Sequence, residues 1–487
     1  MHEVEWFALL TLGVSLAGLA AVFSNRLSAL VRIPAPGLFL IGAAIASDLF
    51  PGLGGLPVPV VQDVVTVALA LILFDGGMHI GWRRLRTAAG AIVWVGVAGT
   101  LVTALAVAAL AHTVLDTSWQ VSLLLGTALS PTDPAVVFSV LGKREVAGRS
   151  GLLLEGESGA NDPVGIALMV VLLTADSGSI GHRLTVGLAE FALQMGVGGA
   201  IGVVGGVGLR WLMTRIPLPS EGLYAVRTLT AAGVLYGAAT LAHGSGFLAV
   251  FVAGILVGDL RAPYQQEIRR FHGALASLAE IVAFVVLGLT ITVEHLDFRT
   301  VLLPGLAIGL GLALVIRPLL VGLVLLPVRL RLGERAFVLW SGLKGAVPVL
   351  LGTFIVIEDV AGAERVYEII FVVVMFSVVV QGSLVPAVAR WCRVPMRLVE
   401  PQPWSLGMRF RAEPTGLHRF EVAAGSAADG ANVRAVGERY DIWVNMLSRD
   451  GEVVPVRANT VLAAGDEVLA VVDGDEDSVE RVFAQPA

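Results

Sequence analysis

The chain has 487 residues, of which 56% are hydrophobic and only 15% are charged, whereas a soluble domain carries roughly 25% charged residues. A mean hydropathy of +0.82 excludes a soluble globular protein, because so much apolar surface cannot be hidden from water. The single cysteine, Cys392, excludes a disulfide framework and a CxxC metal site, and no segment is basic enough to indicate nucleic-acid binding.

Apolar runs long enough to cross a bilayer recur along most of the chain. A span needs roughly 20 such residues, and the sequence predicts about thirteen spans, centred near residues 14, 41, 68, 99, 129, 166, 198, 234, 252, 283, 310, 346 and 378. The first run, residues 5–24, follows a terminus that lacks the basic residues of a cleaved signal, so we expect it to be retained. Residues 1–397 are therefore expected to form a transmembrane domain.

Basic residues alternate between the loops that connect these spans. They cluster in every second loop, for example at residues 26–32, 83–86 and 390–397, whereas the loops between hold only Arg183, Arg299 and Arg365. Basic loops remain in the cytoplasm. The pattern predicts an odd number of spans, with the N-terminus outside and the C-terminus inside.

The fifth span contains an interruption, Thr127-Ala-Leu-Ser-Pro-Thr-Asp-Pro-Ala135. Pro131 and Pro134 remove backbone donors and disfavour helix for the residues before them, so the span must unwind near its middle. Unwinding creates positive N-terminal and negative C-terminal half-helix ends, and Asp133 can neutralise the positive ones. That structural role is compatible with direct contact to a substrate, and both remain open.

The sixth span opens with a polar stretch, Leu154-Glu-Gly-Glu-Ser-Gly-Ala-Asn-Asp-Pro-Val164. If the stretch is helical, Glu157 and Asn161 form one pair at a spacing of four residues, and Ser158 and Asp162 form a second on the adjoining stripe. An ionisable residue inside a span is costly and by default indicates a functional site. We favour a buried site, and the alternative is a solvated loop.

The twelfth span carries a second interruption, Ser341-Gly-Leu-Lys-Gly-Ala-Val-Pro348. Corresponding interruptions in two halves of a chain indicate inverted repeats, with a binding site between two crossing broken helices. Lys344 would balance the negative half-helix ends, and Arg317, in another apolar run, needs a buried acid as partner. The expected fold is an all-α polytopic membrane protein with a small α+β domain after it.

These motifs resemble the monovalent cation:proton antiporter-1 family, which includes bacterial NhaP-type exchangers and animal sodium/proton exchangers. The resemblance rests on the sequence at residues 74–77, 130–134, 155–163 and 343–346, and it covers residues 5–395 in order. It implies a secondary active antiporter that exchanges K⁺ or Na⁺ for H⁺ in pH homeostasis, with no enzymatic activity and no cofactor in the membrane domain. It also implies a homodimer in the bacterial inner membrane.

The resemblance implies roles for individual residues. Asp162 matches the carboxylate that alternately holds cation and proton, and Asn161 matches its neutral partner. The monovalent-cation site implied by the family consists of Asp162 together with Asp133, Ser158 and the backbone at Thr132.

Three further residues match family positions around that site. Glu157 matches an acid that pairs with an arginine, here Arg317, in a structural ion pair. Asp75 matches an acid close to the ion site that is often glutamate in relatives, and its shorter side chain leaves direct ligation open.

The chemistry of such a site agrees with the residue types. A dehydrated alkali cation needs hard oxygen ligands, which carboxylates, hydroxyls and freed carbonyls supply. Because Asn161 cannot ionise, one exchangeable charge per cycle is the simpler expectation, and it makes the exchange electroneutral. An intramembrane hydrolase is disfavoured because it has no use for Lys344 and Arg317, and a channel because no TVGYG-like filter occurs.

The character of the chain changes after Arg397. Prolines at positions 401, 403 and 414 predict a linker at residues 398–415, and alternating apolar residues near 442–444 and 467–472 predict strands of a domain at residues 416–487. This segment resembles an RCK-C (TrkA-C) domain through residues 420–422, 430–433, 442–444 and 465–470. The resemblance implies a cytoplasmic regulatory domain with a nucleotide as its ligand, and it favours K⁺ over Na⁺.

Overall fold

The computed structural model describes residues 18–19, 33–50, 52, 55–141, 144–174, 180–260, 262–398, 417–450, 452–472 and 482–484. The chain forms two compact units: Met1–Leu260 with Tyr264–Ser405, and Arg261–Pro263 with Leu406–Ala487. We call them the membrane unit and the C-terminal unit. The predicted first span and nearly all of the predicted linker at 398–415 lie outside the described residues.

The membrane unit is built almost entirely of helices. They are α1 (Ala35–Leu49), α2 (Val58–Trp94), α3 (Thr100–Leu115), α4 (Trp119–Ala128), α5 (Pro134–Leu141), α6 (Gly148–Thr174), α7 (Ile180–Arg215), α8 (Gly222–Leu241), α9 (Gly246–Gly258), α10 (Gln265–Leu289), α11 (Phe298–Val324), α12 (Leu332–Trp340), α13 (Ala346–Ile357) and α14 (Ala363–Trp391). Large apolar side chains such as Val204, Leu241 and Leu319 remain exposed on them. Such a surface is suited to lipid.

Several helices are long and apolar enough to cross a bilayer. Within the described residues, five stretches meet that criterion by length and composition: Val58–Leu115, Thr185–Arg215, Gln265–Leu289, Phe298–Val324 and Ala363–Trp391. Shorter apolar helices are Ala35–Leu49, Gly246–Gly258 and Ala346–Ile357. The multi-pass architecture follows from these helices, and the number of thirteen spans stays a prediction.

The two interruptions expected from the sequence are present as breaks in helical structure. The first break, residues 129–133, separates α4 from α5, and the second break, residues 341–345, separates α12 from α13. Pro134 begins α5, where its missing N–H is not needed. The polar stretch at 154–163 lies inside the continuous helix α6, so the alternative of a solvated loop is wrong.

Two short antiparallel strands, which we call the clasp, connect distant parts of the membrane unit. Strand β1 (Arg144–Val146) lies between α5 and α6, and strand β2 (Met396–Leu398) follows α14. Arg144 is opposite Leu398, and Val146 is opposite Met396. The clasp therefore joins the segment after the first broken helix to the last described residues of this unit.

In its described residues, the C-terminal unit contains a four-stranded antiparallel sheet and a helix of eight residues. Its elements are β3 (Leu417–Glu421), α15 (Val433–Tyr440), β4 (Ile442–Arg449), β5 (Glu452–Val454) and β6 (Glu467–Val472), and the strand order is β3-β6-β4-β5. Asn432 caps α15, because its side-chain oxygen accepts a hydrogen bond from the Ala435 N–H at 2.8 Å. The core packs around Phe420 and Phe483, whose rings stack with centroids 4.8 Å apart.

Asp466 is a buried acid in this unit, with a residue exposure of 0%. Both of its oxygens accept hydrogen bonds from the Arg449 guanidinium at 2.7 Å, and Oδ2 also accepts one from the Ala463 N–H at 2.7 Å. Burial raises the pKa of Asp466, but the hydrogen bonds and the charge of Arg449 outweigh burial and hold the pKa below its ordinary value. Asp466 is a charged group with every oxygen partnered.

Candidate functional site

The two breaks meet in the interior of the membrane unit. The Asp133 N–H donates to the Leu343 carbonyl at 2.8 Å, so the backbones of the two breaks are joined directly. The Lys344 ammonium donates to the carbonyls of Ser130 at 3.0 Å and Pro131 at 2.9 Å. Lys344 is 1% exposed, and it therefore places a positive charge on the carbonyls that the first break frees.

Asp133 places a negative charge at the N-terminal ends of the half-helices. The Ala135 N–H, in the first turn of α5, donates to Asp133 Oδ1 at 2.9 Å. The carboxylate also receives backbone N–H groups of Val136 and of Ala346, the first residue of α13. One acid thus lies at the positive ends of two helices, where a negative charge is favoured.

Two glycines in the second break make room for the charged groups. A Cβ atom on Gly345 would collide with the Asp133 carboxylate, and one on Gly342 would collide with the Arg317 guanidinium. The charged side chains therefore pack directly on bare backbone, which only glycine provides.

Asp162 and Asn161 lie on the interior face of α6, and they are 5% and 2% exposed. Asn161 is committed to the first break: its amide nitrogen donates to Thr132 Oγ1 at 2.8 Å, and its oxygen accepts from the Thr132 N–H at 3.4 Å. Asp162 interacts through its charge with Asp133 and Lys344. Its Oδ1 has no hydrogen-bond partner among the residues that the structure describes.

Glu157 and Arg317 form an ion pair, and Glu157 lies five residues before Asp162 on α6. The Arg317 Nη2 and Glu157 Oε1 atoms are 3.0 Å apart, and the side chains are 2% and 5% exposed. Arg317 also donates from Nε to the Leu339 carbonyl at 3.0 Å, at the end of α12. Arg317 lies in a π-helical segment, Leu312–Val321, together with Pro318. The pair links α6, α11 and α12.

Ser158 and Asp75 are both buried, but hydrogen bonds do not join them to the breaks in the described residues. Ser158 is 7% exposed on α6, four residues before Asp162. Asp75, on α2, has its Oδ2 atom 3.2 Å from His79 Nδ1, and its Oδ1 has no hydrogen-bond partner within the described ranges. The site-proximal position of Asp75 therefore rests on the packing of α2 against α6 and α13.

Sequence reasoning missed three polar residues inside helices of this unit. The Lys344 N–H donates to Ser377 Oγ at 2.9 Å, and Gln381 contacts both Ser377 Oγ at 3.2 Å and the Trp340 carbonyl at 2.6 Å. These residues on α14 hold the backbone of the second break. Glu280, in the middle of α10, interacts through its charge with Asp133. A polar residue inside an apolar run was the available signal for each of them.

The arrangement can hold a small cation and exchange it for a proton. Lys344 and Asp133 occupy the helix ends, Glu157 and Arg317 pair with each other, and Asn161 binds Thr132. Among the described residues, Asp162 retains a carboxylate oxygen without a hydrogen-bond partner beside the two breaks. A buried carboxylate with spare lone pairs can accept either a proton or an alkali cation.

Comparison with known proteins gives a consistent result. A profile of the family described as "Sodium/hydrogen exchanger, transmembrane" matches residues 12–391. The K(+)/H(+) antiporter NhaP of Alkalimonas amylolytica is 32% identical over 99% of this chain and 85% of its own length. The K(+)/H(+) antiporter NhaP2 of Shewanella sp. strain MR-4 is 32% identical over 97% of this chain and 82% of its own length.

A solved structure shows the same fold. The sodium proton antiporter MjNhaP1 from Methanocaldococcus jannaschii superposes with a TM-score of 0.64 at 23% identity, covering 77% of this chain and 99% of that one. The family match extends over the membrane unit and includes both breaks and every candidate site residue.

Proposed function

Because the chain belongs to the sodium/hydrogen exchanger family of cation/proton antiporters, we propose that it exchanges K⁺ for H⁺, with Na⁺ as the alternative cation. The two relatives at 32% identity are both named K(+)/H(+) antiporters, which favours K⁺. The family description itself names sodium, which keeps Na⁺ as the alternative.

The observation that carries the proposal is the Oδ1 atom of Asp162, which no described residue hydrogen-bonds. An unpartnered carboxylate oxygen in the interior of a membrane protein is costly, and it persists where it serves a substrate. Asp162 lies beside two breaks whose end charges Asp133 and Lys344 already balance. We assign to Asp162 the alternate binding of cation and proton, with Asp133, Ser158 and the Thr132 backbone as further cation ligands and Asp75 nearby.

The charge balance of this scheme makes the exchange electroneutral. When the cation leaves, a proton takes its place on the Asp162 carboxylate, so the site crosses the membrane with the same net charge in both directions. Asn161 has no proton to contribute. One cation is then exchanged for one proton, and alternating access moves the loaded site between the two sides.

The C-terminal unit is proposed to regulate this exchange from the cytoplasm. Its sequence resembles an RCK-C domain in the residues quoted above, and we propose a nucleotide as its ligand. We further propose a homodimer in the bacterial inner membrane, with the N-terminus outside, the C-terminus inside and a contribution to pH homeostasis. The excess of arginine in alternate loops supports this orientation.

Proteoliposomes that contain a pH-sensitive dye test the proposal directly. An outward K⁺ gradient is expected to acidify the lumen, because K⁺ leaves in exchange for H⁺ that enters, and substitution of Na⁺ for K⁺ at equal concentration ranks the two cations. With equal K⁺ on both sides and a pH gradient as the driving force, valinomycin clamps the membrane potential without dissipating a K⁺ gradient. Rates with and without valinomycin then show whether the exchange depends on the potential. A rate that is independent of potential supports one-for-one exchange, whereas a current that reverses with potential contradicts it.

A further inference from the structure

Glu280 is an acid in the middle of a helix that is otherwise suited to the membrane. Along the axis of α10 it lies about 22 Å from the start at Gln265 and about 14 Å from the end at Leu289. Its Oε1 atom is fully buried and has no hydrogen-bond partner in the described part of the chain. An ionisable group at such a depth is costly and by default functional.

Other acids in the interior of the membrane unit are of two kinds: some have a partner for their charge, and others keep a buried oxygen without a hydrogen bond. Glu157 has Arg317 at 3.0 Å, and Asp133 receives backbone N–H groups from two helix ends. Asp75 and Asp162 each retain a buried oxygen without a hydrogen bond among the described residues. Like Asp75 and Asp162, Glu280 keeps a carboxylate oxygen whose lone pairs can accept a ligand.

The packing of α10 places this helix beside two elements of the candidate site. This helix packs against α2, which carries Asp75, and against α13, which begins two residues after Lys344. The charge of Glu280 interacts with that of Asp133. Glu280 therefore belongs to the same cluster of charges as the two breaks, although it comes from a different helix.

We propose that Glu280 is a further carboxylate that binds the transported cation, contributed by α10 on the Asp133 side of the site. The inference rests on the proposed function and adds a ligand to it. A dehydrated alkali cation gains from each additional hard oxygen in its surroundings. In this scheme Glu280 increases the affinity for the cation, and the exchanged proton stays assigned to Asp162.

Three substitutions on α10 test the proposal in proteoliposomes at one fixed pH. Glu280→Gln removes the charge and keeps the volume, Glu280→Asp keeps the charge and withdraws it by one methylene, and Glu267→Gln makes the same chemical change at an exposed position in the first turn of the same helix. We expect Glu280→Gln to raise the apparent KM for K⁺ on the order of tenfold, as for loss of one charge across several ångströms of protein. Glu280→Asp should fall between Glu280→Gln and the parent, and Glu267→Gln should match the parent.

A second readout does not depend on transport. Purified protein in detergent should unfold at a higher temperature as KCl is added, because a ligand that binds the folded state stabilises it. The KCl concentration that gives half of this shift should rise in Glu280→Gln by the same factor as the KM. Where Glu280→Gln does not fold, Glu280→Asp carries both measurements.

The outcomes separate this inference from the proposed function. A Glu280→Gln variant with the KM and the KCl response of the parent overturns the inference, and so does a parental KM in Glu280→Asp where that variant carries the test. If the parent itself shows no cation-dependent proton flux, the proposed function fails first. A raised KM in both Glu280 variants and a parental KM in Glu267→Gln support the inference.

Discussion

Asp466 in the C-terminal unit and Asp162 in the membrane unit are both buried acids, but their surroundings differ. Asp466 has Arg449 on both oxygens and the Ala463 N–H in addition. Asp162 is 5% exposed, yet its Oδ1 has no hydrogen bond within the described residues, while its neighbour Asn161 is bound to Thr132. An acid whose lone pairs are all used stabilises a fold, whereas an acid with a free oxygen can bind a ligand.

The largest expected effect is loss of exchange on Asp162→Asn. The substitution keeps the side-chain volume and removes the charge, so we expect cation-dependent proton flux to fall to the level of empty vesicles. The protein should remain folded and inserted, which size-exclusion chromatography and circular dichroism in detergent would check. Asp466→Asn is the matched control, because the same change in the C-terminal unit should leave exchange intact. Flux retained in Asp162→Asn would show that the titrating group lies elsewhere.

The next effect is on stability and concerns Glu157 and Arg317. Removing one partner of a buried ion pair leaves the other charge stranded, at a cost of about 3–5 kcal/mol. Glu157→Gln and Arg317→Ala should each lower the unfolding temperature and the yield of folded protein.

A double variant sharpens this test, because coupled partners are not additive. Glu157→Gln combined with Arg317→Ala should cost less than the two single changes together. If both single variants are as stable as the parent, the 3.0 Å contact contributes nothing and the pair is not structural.

A smaller effect, on the stability of the C-terminal unit, is expected from Asp466→Asn and from low pH. Loss of the charged partner should destabilise the C-terminal unit by about 1–3 kcal/mol, measured as faster hydrogen exchange in peptides from β4 and β6. Because the pKa of Asp466 is lowered by folding, its stabilising contribution is complete above the ordinary range near pH 4 and is lost as the pH falls through the lowered pKa. The parent should therefore lose protection below about pH 4, and Asp466→Asn should show less of this acid effect.

The smallest expected effect on transport comes from truncation after Leu398. This end point preserves the β1–β2 clasp, which a cut at Arg397 would shorten. We expect an inserted protein with unchanged ranking of K⁺ and Na⁺, and with altered rate or pH dependence, because a regulatory ligand at the proposed C-terminal domain would act by binding transport states with different affinity. A changed cation ranking would place the C-terminal unit in the transport pathway.

The breaks could be predicted because their cause is local. Pro131 and Pro134 remove backbone donors whatever surrounds them, and the break at 129–133 follows. The sign of the charge that each helix end requires was also predictable. Asp133 could therefore be assigned to the positive ends and Lys344 to the negative ends. The strands predicted near 442–444 and 467–472 lie in β4 and β6 for a similar reason, since their alternation is visible in the sequence.

The partners of these groups could not be predicted, because they come from distant parts of the chain. Nothing near Lys344 indicates that Ser377 accepts its N–H, or that Asn161 uses its amide on Thr132. The strand order β3-β6-β4-β5 likewise depends on packing and not on local pattern. Glu280 differs from these partners because it could have been predicted as a candidate. It is an acid in an apolar run of the sequence, but it lies outside the recognised motifs.

The β1–β2 clasp has a mechanical consequence for the membrane unit. β1 is the connection between α5, which begins directly after Asp133, and α6, which carries Asp162. β2 ends at Leu398, where the chain continues toward the C-terminal unit. Tension on the chain beyond Leu398 would therefore act, through the backbone hydrogen bonds of the clasp, on the connection between α5, which follows Asp133, and α6, which carries Asp162.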